Sequence, residues 1–365
     1  PAPAEALADA NLMAARFTLL ALLSRVARLA CWSIAWILAL GCVVWAFGAL
    51  HFDFPVWKAP VAWAFATAVL AAVVFLRGAW RKLGATVAAF ALVLVWWLTL
   101  RPTNDADWKP DVTRVAWAEI NGDEVTLHNV RNCDYRTKDD FTPRWETRTV
   151  RLSQLTGVDL AIDYWGSPWI AHPIVSFQFA ESPPVCFSIE TRMKAGQSYS
   201  PVGGLYRQFE LIYVVADERD VIRVRTNHKG EDIYLYRTTM TPAQARGRFL
   251  EYLRTLHGMR ERPRWYNAIT TNCTTSIRAQ RSTSERPPLD WRILVNGKGD
   301  EMMFERGTID TGGLPFAELR QKAMINTAAK AADKSPEFSR AIREGLPGFA
   351  SPQAAAVQIG KPGVP

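Results

Sequence analysis

Three uncharged apolar runs dominate the first hundred residues: Leu29–Leu50, Ala59–Leu76 and Leu83–Leu100, which are 22, 18 and 18 residues long. A stretch of roughly 17 to 25 apolar residues crosses the hydrocarbon layer of a bilayer, so each run predicts a transmembrane helix. Arg16, Arg25 and Arg28 precede the first run and Arg77, Arg81 and Lys82 separate the second from the third, whereas the first connecting loop carries only Lys58. Cytoplasmic flanks hold the excess of Lys and Arg, which places the N-terminus in the cytoplasm and everything after the third span outside. Pro1–Leu12 reads as a poorly structured leader. Phe17–Arg28 interleaves apolar residues with arginines as an interfacial helix does, and equally as an early start of the first span. A cleaved signal peptide is disfavoured, because the first apolar run is too long and two more soon follow. Trp57 and the Trp96-Trp97 pair stand at or near span ends, where indoles favour the head-group region.

After Arg101-Pro102 the pattern changes to short β-branched and aromatic runs divided by turn residues. Strands are expected at Thr113–Ile120, Glu124–Val130, Thr147–Leu152, Gly157–Tyr164, Ile174–Phe179, Val185–Glu190, Phe209–Ala216, Asp220–Thr226 and Ile233–Tyr236. Asn121-Gly122-Asp123 supplies a hairpin turn, since Asn and Gly tolerate positive φ. Thr241-Pro242 opens a helix expected to end at Gly258, a second begins near Asn272, and Phe316–Ala332 and Pro336–Glu344 read as helical. The chain thus divides into a leader and interfacial segment (1–28), a three-span module (29–100), an α+β extracytoplasmic domain with a mixed sheet (101–345) and a Pro- and Gly-rich, poorly ordered tail (346–365).

A mean hydropathy near zero for the whole chain conceals these two unlike halves. The net charge of +8 comes from scattered Lys and Arg with no dense basic stripe, which argues against nucleic acid and suits anionic lipid head groups. Five cysteines and five histidines occur without a C-x-x-C or H-E-x-x-H pairing, so no metal and no cofactor is expected.

Cys31 and Cys42 fall in the first span, leaving Cys133, Cys186 and Cys273 outside, an odd number in a compartment that favours disulfides. Cys273 follows Asn272, which can cap a helix, so the thiol sits in a first turn whose unpaired N–H groups favour a thiolate or an oxyanion. A buried, inert cysteine is the equal alternative. Cys133 and Cys186 are expected to be free or joined to each other. Among the histidines, His51 lies between spans, His128 on the solvent face of a strand, His228 in a turn and His257 at a helix end. That leaves His172 as the general base by elimination, with Glu190 on the next strand to orient the ring or else to make an ion pair with an arginine. Trp165 and Trp169 lead into His172, and Trp265 and Tyr266 approach Cys273 from the other side. These four, with Asn272, are expected near the site as the apolar wall of an acyl pocket, or else as ordinary core aromatics.

Five ordered blocks together resemble the Lnb-type periplasmic domain family of bacterial lipoprotein N-acylation. They are His128–Arg136, His172–Phe179, Phe187–Arg192, Glu218–Thr226 and Tyr266–Cys273. Cys133 stands where the family pattern has an aromatic residue, which argues against a catalytic role for it. The resemblance implies a circularly permuted, NlpC-type papain-like fold with the order His172, Glu190, Cys273. It further implies a multi-pass protein of the bacterial inner membrane that carries a fatty acyl group as a Cys273 thioester. The acyl donor is a phospholipid or the lipoprotein itself, and the acceptor is the α-amino group of a diacylated lipoprotein cysteine. The residues alone reach only thiol acyl transfer or hydrolysis beside a membrane. A cell-envelope peptidase or amidase and a non-catalytic lipoprotein-binding module are the competing readings. A reporter fused after Arg101 is expected to read as extracytoplasmic and one fused between Arg77 and Lys82 as cytoplasmic; reversal of both overturns this topology.

Overall fold

The computed structural model describes residues 2–280, 288, 290–293 and 295–349, and divides into two compact units at Arg101/Pro102. The first unit holds α1 (Ala2–Asp53), α2 (Lys58–Phe75) and α3 (Ala79–Thr99), in which Thr18–Asp53, Lys58–Phe75 and Ala79–Thr99 are long and apolar enough to cross a membrane. Helix starts inside the expected leader: the Ala-rich N-terminal stretch has high helix propensity and no breaker, so α1 runs unbroken from Ala2, with no separate interfacial helix. Leu40, Phe75 and Leu92 face outward, as lipid contact allows. One end of the bundle is tied by polar contacts. Trp97 Nε1 donates to Asp53 Oδ2 at 2.7 Å, Lys58 Nζ donates to the Phe52 carbonyl at 2.8 Å, and Trp45 meets the Trp97 ring edge-on at 5.0 Å.

The second unit is built on an eight-stranded mixed sheet of β1 (Trp117–Asn121), β2 (Glu124–Arg131), β5 (Trp145–Arg151), β6 (Leu155–Tyr164), β7 (Ala171–Phe179), β8 (Val185–Arg192), β9 (Glu210–Ala216) and β10 (Asp232–Arg237). A small separate pair, β3 (Asp134–Tyr135) and β4 (Phe141–Thr142), was not signalled by the pattern. The main order is β1-β2-β9-β8-β7-β6-β10, with β5 on β2; only β2 and β9 run parallel. Alternation along β7 sends Ala171, Val175 and Phe177 into one apolar core, covered by α5 (Pro242–Glu261) and α6 (Cys273–Ala279), and Ile174 into another.

The second face is covered by α4 (Glu218–Val221), an adjoining π-helix (Val224–Lys229), α9 (Asn326–Ala331) and α10 (Phe338–Ala341). The expected strand Asp220–Thr226 is therefore helical. Its alternating apolar residues resemble a strand, but Asp217 caps a helix by accepting from the Arg219 N–H at 2.9 Å, and Asp220 and Arg225 turn into buried ion pairs. α5 has the expected Thr241 cap with a full capping box, yet passes through Gly258 to Glu261, because packing of Leu256 and Met259 outweighs one glycine's helix cost. Beyond α7 (Gly299–Glu305), the Phe316–Ala332 stretch is broken into α8 (Phe316–Lys322) and α9. The tail is packed as far as Leu346 and Phe349 against the second core, and its remainder from 350 lies outside the described residues.

Arg343 closes the second face. Its guanidinium reaches Asp159 Oδ2 at 2.8 Å and Glu218 Oε2 at 2.8 Å, both carboxylates being fully buried. Burial alone would raise the Glu218 carboxyl, but the Arg343 charge prevails and holds it below its ordinary value. Arg343→Ala leaves Glu218 buried and without a cation, so chemical denaturation of the full chain is expected to show a loss of about 3 to 5 kcal/mol. Because Glu218 titrates lower when folded, its share of that stability is present above the ordinary carboxylate range and is lost as pH falls below it. A wild-type advantage that grows on acidification contradicts the assignment.

Candidate active site

Cys273 is the first residue of α6, fixed there by a reciprocal cap. Asn272 Oδ1 accepts from the Thr275 N–H at 3.0 Å, and Thr275 Oγ1 accepts from the Asn272 N–H at 2.9 Å. The loop before it is held by Asn267 Oδ1, which accepts from the N–H groups of Ile269 and Thr270, and by Asn272 Nδ2, which donates to the Ala268 carbonyl. Around the sulfur stand the N–H groups of Cys273 and Thr274, Thr274 Oγ1 at 3.7 Å and Asn296 Nδ2 at 3.7 Å. Burial pushes the thiol above its ordinary value and these donors offset only part of the rise.

Asn296, absent from the sequence-based candidates, connects two elements. Its Oδ1 accepts from the Ala171 N–H at 2.9 Å while its Nδ2 donates to Thr274 Oγ1 at 2.9 Å, so the first turn of α6 is tied to the start of β7. The next residue has to be glycine: a Cβ at Gly297 would lie 2.3 Å from the Trp169 carbonyl carbon, and the Gly297 N–H donates to that carbonyl.

His172 is 8% exposed and pairs through Nε2 with Ser188 Oγ at 2.7 Å; Ser188 Oγ donates to Glu190 Oε1 at 2.7 Å. With its hydroxyl hydrogen committed to Glu190, Ser188 accepts from His172, which assigns the hydrogen to Nε2 and leaves Nδ1 as a free acceptor. Glu190 faces Arg225 Nη2 at 3.0 Å and Arg131 Nη1 at 3.8 Å; burial would raise its carboxyl, but the two guanidiniums hold it well below the usual range. Burial, helped by Arg225, lowers the His172 imidazole to about 3, so the ring is neutral at physiological pH. Arg131 is clamped on Asp220 at 2.9 Å and Arg225 on Asp163 at 2.9 Å. Ser188 was legible in principle, since it alternates onto the face of Glu190, whereas Arg225 was hidden inside the misread strand.

The structure therefore joins His172 to Glu190, and Cys273 to Asn272 and Asn296, as two groups. Cys273 packs with the core formed by Ala171 and Val175, while His172 alternates onto the face of Ile174. Among the described residues no hydrogen bond joins the thiol to the imidazole.

A mainly apolar cavity of about 510 Å³ is lined in part by Thr274 and Asn296, which both stand beside the thiol. Its wall is not the expected one. Trp165 and Trp169 are 44% and 53% exposed, because their loop crosses the surface; Trp265 pairs with Glu210 at the start of β9; of the four only Tyr266 packs with Cys273 against the same core. Cys133 and Cys186 are both buried, free and in separate clusters, and Cys273 is free.

Residues 141–297 match the family described as the Lnb N-terminal periplasmic domain. This segment is similar to an Lnb-type periplasmic domain. The match takes in β7, β8, α6 and Asn296, and relates the chain to lipoprotein processing in the envelope; with three membrane-capable helices ahead of it, the chain is an inner-membrane protein with a periplasmic domain. No curated protein and no solved structure matches the chain.

With the thiol raised and the imidazole neutral, the resting site holds no thiolate–imidazolium pair. The rate of Cys273 alkylation by iodoacetamide is expected to rise about tenfold per pH unit from 6 to 9, following free thiolate. A pH-independent plateau near neutrality overturns this protonation state.

Proposed function

We propose that the periplasmic domain is a lipoprotein N-acyltransferase in which Cys273 carries the acyl group. The observation that supports this most is a thiol fixed at the first residue of a capped helix, whose neighbours Thr274 and Asn296 line a mainly apolar cavity. In the proposed cycle the Cys273 sulfur attacks a lipid ester carbonyl and its proton passes to His172 Nδ1. The N–H groups of Cys273 and Thr274 and the Asn296 amide receive the oxyanion. Collapse forms the thioester and breaks the ester bond, and His172 returns the proton to the departing lipid oxygen. The neutral α-amine of a lipoprotein cysteine then attacks the thioester, giving the amide and restoring the thiol. Because the imidazole and the thiol face opposite sides of β7, the proposed proton path runs round the strand end through a bridging water. Ser188 and Glu190 hold the tautomer that this requires. The N-terminus is proposed to be cytoplasmic.

A second reading is favoured by that same separation: a lipid-binding module in which Cys273 does no chemistry. Mass analysis of a reporter lipoprotein, in cells that depend on this protein for N-acylation, separates the two. Cys273→Ala is expected to abolish the amide-linked chain. His172→Ala is expected to lower it about 10² to 10⁴-fold, and Glu190→Gln less. Undiminished N-acylation with Cys273→Ala establishes the second reading.

A further inference from the structure

The cavity lined in part by Thr274 and Asn296 runs along the sheet rather than into it. Ala171, Pro173 and Val175 of β7 line it in turn, as do Ile162, Leu160 and Val158 of the antiparallel β6, so its wall follows two strands for about 13 Å between the levels of Ala171 and Val175. The opposite wall is Ile277, Met302 and Met303, and the far end is Thr238 and Met240. Four arginines also line it: Arg248 reaches Glu251 at 2.6 Å, Arg292 reaches Glu305 at 2.7 Å and Arg306 reaches Asp290 at 3.3 Å, and Arg278 is the fourth. The rest of the lining is mostly aliphatic and thioether. Met is unbranched and adaptable, which suits a wall that accepts flexible chains.

We propose that this cavity binds one fatty acyl chain lengthwise, with its carboxyl carbon at Cys273 and its methyl end beside Val158, Thr238 and Met240. The orientation rests on the reading of Cys273 as acyl acceptor, but occupancy by a chain does not. A volume of about 510 Å³ falls within the ordinary range of small-ligand sites, and a mainly apolar wall that follows two strands suits one chain better than a compact polar ligand. Met303→Trp and Met240→Trp, both at half-buried positions, fill the cavity from the helix side and from the far end without opening the sheet.

The test uses the full chain in phospholipid nanodiscs and two photoreactive palmitic acids, one with a diazirine at the terminal carbon and one with it next to the carboxyl. Peptide mapping is expected to place terminal adducts near Val158, Thr238 or Met240, and carboxyl-side adducts near Thr274 or Asn296. Unlabelled palmitic acid suppresses both. Met303→Trp or Met240→Trp, in a protein that melts as the wild type does, is expected to reduce terminal labelling at least tenfold. Adducts confined to the transmembrane helices, adducts in reversed order, or undiminished labelling in both folded variants overturn the proposal. Ordered adducts in Cys273→Ala, together with a wild-type protein that never becomes acylated, uphold the chain site while removing the acyl-transfer reading.

Discussion

Everything about the periplasmic domain depends on the two-residue period of β7. Its odd positions, Ala171, Val175 and Phe177, build the apolar core under α5 and α6, and its even positions, His172, Ile174 and Ser176, face the helices on the other side. The odd face carries the thiol and the cavity. The even face carries polar side chains that would be costly to bury alone and are each held by a partner: Ser176 by Glu218, His172 by Ser188, and Glu190 by two guanidiniums. The strand thus separates a mainly apolar compartment from one rich in buried ion pairs, and Asn296 bridges its start to α6.

That division bears on the chemistry. A thiolate–imidazolium pair would need charge on the apolar side, where burial already opposes ionising Cys273, and on a ring that burial and Arg225 keep neutral. In the proposed cycle charge develops only as the lipid ester is attacked, on an oxygen that three fixed N–H donors can receive. Those donors are already oriented before the reaction and need little reorganisation. The same arrangement fixes which nitrogen of His172 could accept a proton: Ser188 and Glu190 preserve the Nε2–H tautomer, and the available lone pair is on Nδ1.

Much of this was legible in the sequence where a local rule decides. Eight of the nine expected strands match because alternation is local, and the Thr241 and Asn272 caps match because a cap needs only its own turn. What failed depended on contacts distant in the chain. Asp220–Thr226 alternates like a strand but folds as helix, so that Asp220 can meet Arg131 and Arg225 can meet Asp163 and Glu190. The tryptophans next to His172 looked like a pocket wall by proximity in sequence, whereas the actual wall is drawn from β6, β7, α6 and the Met302-Met303 pair. Asn296 could not be found from local pattern at all, since it sits in a short turn whose importance lies in an amide that reaches two other elements.

Whether Cys273 carries an acyl group is read most directly from the intact mass of the full-length protein purified from its own membranes, before and after neutral hydroxylamine. A population heavier by one fatty acyl group is expected, which hydroxylamine returns to the unmodified mass and which Cys273→Ala lacks. Protein at its unmodified mass throughout, even after incubation with phospholipid and without an acceptor, contradicts an acyl-carrying Cys273.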